Sequence, residues 1–188
     1  MTVFRDLSQH LLDIVENSVN AGASLVHIDI EQDTERDHLA ICVRDDGRGI
    51  DPTMLPAITD PWVTTRTTRR VGLGIPFLKQ TAEMCGGDFE IDSQPGRGTR
   101  ICATFRWSHI DRPPVGSLVD TLLCMIVGYP AVSFVYHHRV DDRVFEFDTR
   151  EIREVLGNEV PLSDPDVLAF MRGALRDGMK EIGFEASL

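Results

Sequence analysis

The order of amphipathic segments predicts an α/β two-layer sandwich, a mixed sheet with helices on one face, followed by a small α+β C-terminal extension. Two observations carry that expectation. Residues 1–107 read as helix, two strands, loop, helix, two strands, and Pro113–Pro114 then punctuates the chain before a second set of helices and strands spanning 115–188. The first helix is read over 4–21, where Leu7, Leu11, Leu12, Ile14, Val15, Val19 and Ala21 recur with a helical period and Gly22 closes it. Leu25–Glu31 and Leu39–Arg44 alternate or run apolar as strands do. Asp45–Ile50 is a glycine turn, Asp51–Ile58 a short helix, and 59–72 a loop rich in Thr and Arg. A second long helix fits Gly74–Cys85, ended by Gly86–Gly87, and Asp88–Ser93 and Thr99–Trp107 read as strands around the turn Gln94–Gly98. Beyond the prolines a helix is expected at 116–127, strands at 131–138 and 143–148, and helices near 149–157 and 164–181. That extension is expected to dock on the sheet or to be presented to a partner.

Composition narrows the class. With 188 residues, 42% hydrophobic and 26% charged, the chain has the make-up of a soluble globular protein. No run approaches the roughly 20 apolar residues needed to span a bilayer, and Leu118–Val127 is short and carries Asp120. Asp6, Asp13 and Glu16 interrupt any leader pattern at the N-terminus. A net charge of −11 disfavours nucleic acid and anionic membrane as partners. The four cysteines (Cys42, Cys85, Cys102 and Cys124) form no CxxC pair and read as free buried thiols, so a cytoplasmic location is expected.

Four clusters carry candidate chemistry. Asp13, Asn17 and Asn20 fall on roughly one face of the first helix, where a carboxylate and carboxamides offer oxygens to a hard cation, or form a solvated polar stripe. In Asp45-Asp46-Gly47-Arg48-Gly49-Ile50 the glycines allow close approach of a ligand, and ionised Asp45 accepts hydrogen bonds from an exocyclic amine such as that of adenine. Gly72-Leu73-Gly74-Ile75 opens a helix, a placement that suits phosphate. Gly96-Arg97-Gly98-Thr99 is a tight turn with a hydroxyl after it. Taken singly, each is also an ordinary surface turn or polar helix face. His137-His138 sits on a strand, where neighbours point to opposite faces, so the two do not converge on one metal ion.

Together, in this order and spacing, the clusters resemble the motifs of the GHKL superfamily of ATPases (gyrase, Hsp-type chaperones, histidine kinases, MutL). Gln9–Ala23 is similar to its N box, Asp45–Ile50 to its G1 box, and Pro61–Arg66 to the kinase F box. Val71–Ile75 resembles the G2 box and Gly96–Thr99 the closing GxGT turn. The resemblance implies the histidine-kinase-like ATPase fold with ATP and Mg²⁺ as cofactors. It implies Asn17 as Mg²⁺ ligand, with Asn20 beside it, and Asp45 as the adenine-binding carboxylate. Gly47 and Gly49 would line the adenine, and Thr99 would support it with Asp45 through a water. Gly72 and Gly74 would meet the phosphates, and Arg66 the terminal one.

The chain departs from the pattern at three positions. Kinases of this type carry Asn where Asp13 stands, and the hydrolysing branches carry Glu as general base, so Asp13 is the candidate catalytic residue. Arg70 replaces a glycine, and Trp62 the F-box phenylalanine. Few residues precede the first helix, so no phosphoacceptor hairpin is expected, and His10 reads as a packed or solvated histidine. The expected function is a stand-alone, kinase-like or slow ATPase subunit acting on a partner protein in signalling. The alternative is a nucleotide-gated module in which ordering of the 59–72 lid controls partner binding or homodimerisation.

Overall fold

A computed structural model describes residues 5–59, 74–157 and 159–184. In chain order these form α1 (Leu7–Asn20), β1 (Leu25–Asp33), β2 (His38–Asp45), α2 (Leu55–Ile58), α3 (Gly74–Met84), β3 (Phe89–Gln94) and β4 (Gly98–Arg106). Then follow α4 (Leu118–Gly128), β5 (Ser133–Val140), β6 (Arg143–Asp148), α5 (Thr149–Leu156) and α6 (Pro165–Glu181).

Helix α1 starts where Asp6, in extended conformation, accepts a hydrogen bond from the Gln9 N–H at 2.9 Å. Its buried stripe is Leu7, Leu11, Ile14, Val15 and Ser18, the i, i+4, i+7 pattern that packs a helix on a sheet. It ends at Gly22, whose φ of +80° a side chain would resist.

The strands join one six-stranded sheet in the order β3-β4-β2-β1-β5-β6. All neighbours are antiparallel except β1 and β5, which run parallel from Leu25 opposite Ser133 to Gln32 opposite Val140. A parallel pair needs a crossover, and α4 lies on it. The residues beyond Pro113–Pro114 thus add strands edge-on to the sheet begun by residues 25–106. The connection is pinned at both ends. Leu7 and Ser8 donate their N–H groups to the carbonyls of Pro114 and Val115, each at 2.9 Å, and the Arg112 guanidinium lies 4.2 Å over the Trp107 ring.

Pairing register assigns the two faces. Val26, Ile28 and Ile30, Val43, Ile41 and Leu39, Ile101, Ala103 and Phe105, and Phe134 and Tyr136 turn inward and are buried, along with the inner sides of the long helices. Each buried Val, Leu, Ile or Phe among them contributes about 1.5–3 kcal/mol. The opposite face is polar: Arg139 pairs with Glu31, Arg100 with Glu90 at 3.8 Å, and His137 lies between Asp29 at 3.7 Å and Glu146 at 3.2 Å. This is the two-layer sandwich expected. His137 and His138 do point to opposite faces, with His138 wholly buried.

One expectation is corrected here. Cys42 and Cys102 stand directly opposite each other on β2 and β4 and form a disulfide, although 60 residues separate them in sequence. Side chains facing each other across an antiparallel pair are close enough for such a bond. Cys85 remains a free buried thiol, while Cys124 is free but exposed. Among the described residues no helix is long and apolar enough to cross a membrane.

Helix α6, capped by the Asp164 carboxylate, closes over β6. Gly178 makes this possible, because a Cβ there would lie 2.0 Å from Phe145 Cε2. Beneath it His138 Nδ1 meets the Tyr136 hydroxyl at 2.7 Å, and its ring lies 4.5 Å from that of Phe184. Burial lowers the His138 pKa to about 4, with His137 adding to the shift. The neutral form is therefore the one the fold accepts. The unfolded chain protonates near 6.5 while the folded one does not, so stability is lost as pH falls from 6.5 towards 4, by about 3 kcal/mol from this residue. Urea unfolding followed across that range will show the decline, and His138→Phe will make it shallower; an unchanged pH slope in that variant would refute the assignment. Gly178→Ala will destabilise by about 1–3 kcal/mol through overpacking against Phe145, read by the same measurement.

Candidate functional site

Asp45 ends β2 as a buried carboxylate, which stands only where donors replace water. Three do. Ser18 Oγ on α1 donates to Oδ2 at 2.8 Å, and the N–H groups of Gly47 and Thr99 donate to Oδ1 at 2.9 and 3.3 Å. A carboxylate offers about four lone-pair sites, so one acceptor position remains for a ligand donor.

The loop after Asp45 is held on two sides. Arg48 N–H reaches the Ala21 carbonyl at 3.0 Å, Gly96 N–H reaches the Arg48 carbonyl at 2.8 Å, and Ile50 N–H donates to Ser93 Oγ at 2.9 Å. Gly49 has φ +68°, and a Cβ there would stand 2.0 Å from the Gln94 carbonyl oxygen. A Cβ on Gly47 would stand 2.9 Å from Asp45 Oδ1 and 3.0 Å from Ala21 Cβ, filling the space beside the carboxylate. Asp46 points the other way and takes the Ser24 N–H, the Ser24 hydroxyl and the Leu25 N–H at 2.7, 2.6 and 2.9 Å. Burial works to raise its pKa, yet these hydrogen bonds outweigh it and hold Asp46 below the usual carboxylate value. Asp46 thereby ties the start of β1 to the end of β2.

Thr99 is buried opposite Asp45 in the β2–β4 register. Its backbone N–H reaches Asp45, while its hydroxyl lies 2.8 Å from Ser93 Oγ, which itself donates to the Gly98 carbonyl at 2.9 Å.

On α1, Asn17, the residue before Ser18, donates from Nδ2 to Asp13 Oδ2 one turn earlier at 3.3 Å. Of the Asn17 side-chain atoms, Oδ1 is the one with acceptor character toward a cation. The first turn of α3 abuts the same carboxylate: a Cβ on Gly74 would fall 1.7 Å from Asp13 Oδ2. Asn20 is exposed at the last residue of α1. His10 is buried near Gly74, and its pKa is lowered to about 4 by burial, against the smaller raising effects of Asp6 and the Gly74 backbone. Among the described residues no group of three or more His, Cys, Asp or Glu side chains is disposed to hold a metal by itself.

The structure thus brings Asp45, Gly47, Gly49 and Thr99 together at one end of β2 and β4, and sets Asp13, Asn17 and Gly74 together where α1 meets α3. Arg66 and Gly72, and with them Trp62 and Arg70, lie outside the described residues. Ser18 and Ser93 were not among the expected site residues. Ser18 carries a readable signal, since it falls four residues after Ile14 on the apolar stripe, and a hydroxyl in a core position needs a partner.

Residues 2–109 match the family described as histidine kinase-, DNA gyrase B-, and HSP90-like ATPase. A probable C4-dicarboxylate sensor kinase of Bacillus subtilis is 37% identical over 104 residues, covering 53% of this chain and 19% of that protein. The sensor protein kinase FleS of Pseudomonas aeruginosa is 33% identical over 110 residues, covering 58% of this chain and 27% of the other. The chain therefore spans well under a third of these relatives' length. A crystal structure of the N-terminal domain of a DNA repair protein superposes with a TM-score of 0.50 at 15% identity, covering 83% of this chain and 58% of that one, which speaks to fold alone. With its matched segment extending over more than half of the sequence, the chain belongs to the histidine kinase-, DNA gyrase B- and HSP90-like ATPase family.

Proposed function

We propose that this chain binds Mg²⁺-ATP at the site formed by α1, the Asp45–Ile50 loop and the Gly98–Thr99 turn, and works as a kinase-like or ATPase subunit in signalling. The observation that carries the reading is the Asp45 carboxylate, buried, supplied with three donors, and bordered by Gly47, where a side chain would fill the adjoining space. An adenine amine is the donor that fits the remaining position, and Gly47 and Gly49 leave its ring room. Asn17 would hold Mg²⁺ through Oδ1, and Mg²⁺ would neutralise phosphate charge, the main demand of phosphoryl transfer. Gly74 and the first turn of α3 would face the phosphates. Asp13 would accept the proton of an attacking water, oriented by the Asn17 amide. This reading suits a cytoplasmic location, where ATP is available, and the sensor kinases the chain resembles favour a protein partner as acceptor.

Calorimetric titration with ADP tests the pocket. Asp45→Asn turns an N–H₂ toward groups that already donate, and the affinity will drop by about 10- to 100-fold. Ser18→Ala removes one donor and will have a smaller effect in the same direction. Undiminished affinity in Asp45→Asn would remove the basis of the proposed site.

Incubation with γ-labelled ATP separates the activities. Label on a second protein indicates a kinase, free phosphate an ATPase, and persistently intact ATP would overturn an enzymatic role in favour of nucleotide-gated binding. Where hydrolysis is seen, Asp13→Asn will retain nucleotide and lose about 10²–10⁴-fold in rate, the usual worth of a general base. An unchanged rate would exclude Asp13 from that role.

A further inference from the structure

The Cys42–Cys102 disulfide lies on the polar face of the sheet, away from the helices, and on the same strand pair as the nucleotide site. Cys42 faces Cys102 across β2 and β4, and three residues further along the same two strands Asp45 faces Thr99. Cys102 is only 5% exposed while Cys42 is half-buried, so Cys42 presents the sulfur that a small molecule reaches. Arg100 Nη2 stands 3.8 Å from Cys42 Sγ while its Nη1 pairs with Glu90 at 3.8 Å, and Arg44 lies opposite Arg100 in the β2–β4 register and adds a second cation one row away. Cations beside a cysteine stabilise the thiolate, the form that attacks disulfides. In a compartment that holds thiols reduced, a disulfide so placed exchanges rather than staples.

We infer that Cys42 and Cys102 form a reversible thiol–disulfide exchange site for low-molecular-weight disulfides, and that its oxidised form holds nucleotide more tightly than its reduced form. The coupling rests on the nucleotide-site reading; the exchange chemistry does not. In the forward direction the Cys42 thiolate attacks a small disulfide RSSR, forming a mixed disulfide and releasing RS⁻. The Cys102 thiolate then displaces the second RS⁻ from Cys42. The protein loses two protons and two electrons, and RSSR becomes two RSH. Reduction by excess RSH reverses both steps.

The effect on binding follows from where the bond sits. Asp45 Oδ1 takes its hydrogen bond from Thr99 N–H across this strand pair at 3.3 Å. With the disulfide closed, β2 and β4 are joined covalently three residues from that contact, and the pocket floor is ordered before nucleotide arrives. With it open, the ladder alone holds the strands, and binding must supply the ordering.

The test uses the full chain in a Cys124→Ser background, which removes the exposed thiol. Equilibration with oxidised glutathione will protect Cys42 and Cys102 from alkylation, read by peptide mass, and dithiothreitol will restore labelling of both. Titration with ADP will show the oxidised protein binding about fivefold or more tighter than the reduced one. Cys42→Ser, with Cys102→Ala as a second variant, will bind like the reduced protein under both conditions. Unprotected alkylation after oxidised glutathione, or equal ADP affinity of the two forms, would overturn the inference. If neither form binds ADP, the nucleotide reading falls and the coupling with it, while the alkylation result still decides whether the pair exchanges.

Discussion

A carboxylate buried at the end of a strand is the constraint around which this molecule is arranged. Asp45 is shut away from bulk water, and its three donors come from three separate parts of the chain: α1 through Ser18, its own turn through Gly47, and the β3–β4 hairpin through Thr99. Each donor fixes a geometric relation. Ser18 sets the rotation of α1 on the sheet, the Thr99 N–H sets the register of β4 against β2, and the Gly47 N–H requires the tight turn that Gly49 then carries back over Gln94. Gly98 belongs to the same constraint, since at φ +84° a Cβ would come within 1.9 Å of the Asp45 carbonyl oxygen. The glycines that look like loop punctuation are thus the close approaches that let one buried charge be solvated by backbone.

The sheet has to be rigid enough to keep those donors in place, and the C-terminal segment contributes to that. Without β5, β1 would be an edge strand. Its parallel partner covers that edge, and α4 and α6 cover the inner surface that β5 and β6 bring with them. The neutral His138 and Tyr136 pair beneath α6 belongs to this second half of the core, so one source of acid sensitivity lies there, while the other, buried His10, lies on α1 near Gly74.

How much of this the sequence disclosed follows from which interactions are local. The helical stripe of α1, the alternation of β1 and β2, and the glycine turns are written in neighbouring residues, and each was legible to within a few positions. Grouping Asp45 with Thr99 came from resemblance rather than from periodicity, whereas the contact of Asp13 with Gly74 appears only in three dimensions. The Cys42–Cys102 pair was misread as free thiols because it depends on the relative register of β2 and β4, which a loop, two helices and a strand intervene to set. The same holds for β5 beside β1, whose pairing passes through a crossover that no local pattern specifies. Ser18 lay between the two cases: its helical position marked it as buried, but only the three-dimensional neighbour explained why a hydroxyl belongs there.

Asp13 presents the sharpest chemical question. Its carboxylate rests against Gly74, so tightly that any Cβ at 74 would displace it, and Asn17 holds one of its oxygens. The pair is mutually determined: glycine at 74 leaves room for an acid at 13, and the acid lies by the α3 turn proposed to face phosphate. An anion there is favoured by the helix dipole, yet it repels a second anion brought to the same turn. Nucleotide phosphates, under the proposed function, approach with a cation between, which Asn17, one helical turn from Asp13, would help to hold. Under the proposed function, the acidic residue at 13 therefore has two consequences from one location: it supplies a base for water, and it makes the divalent cation a condition of phosphate entry rather than an accessory to it. A neutral amide at that position would relax both together.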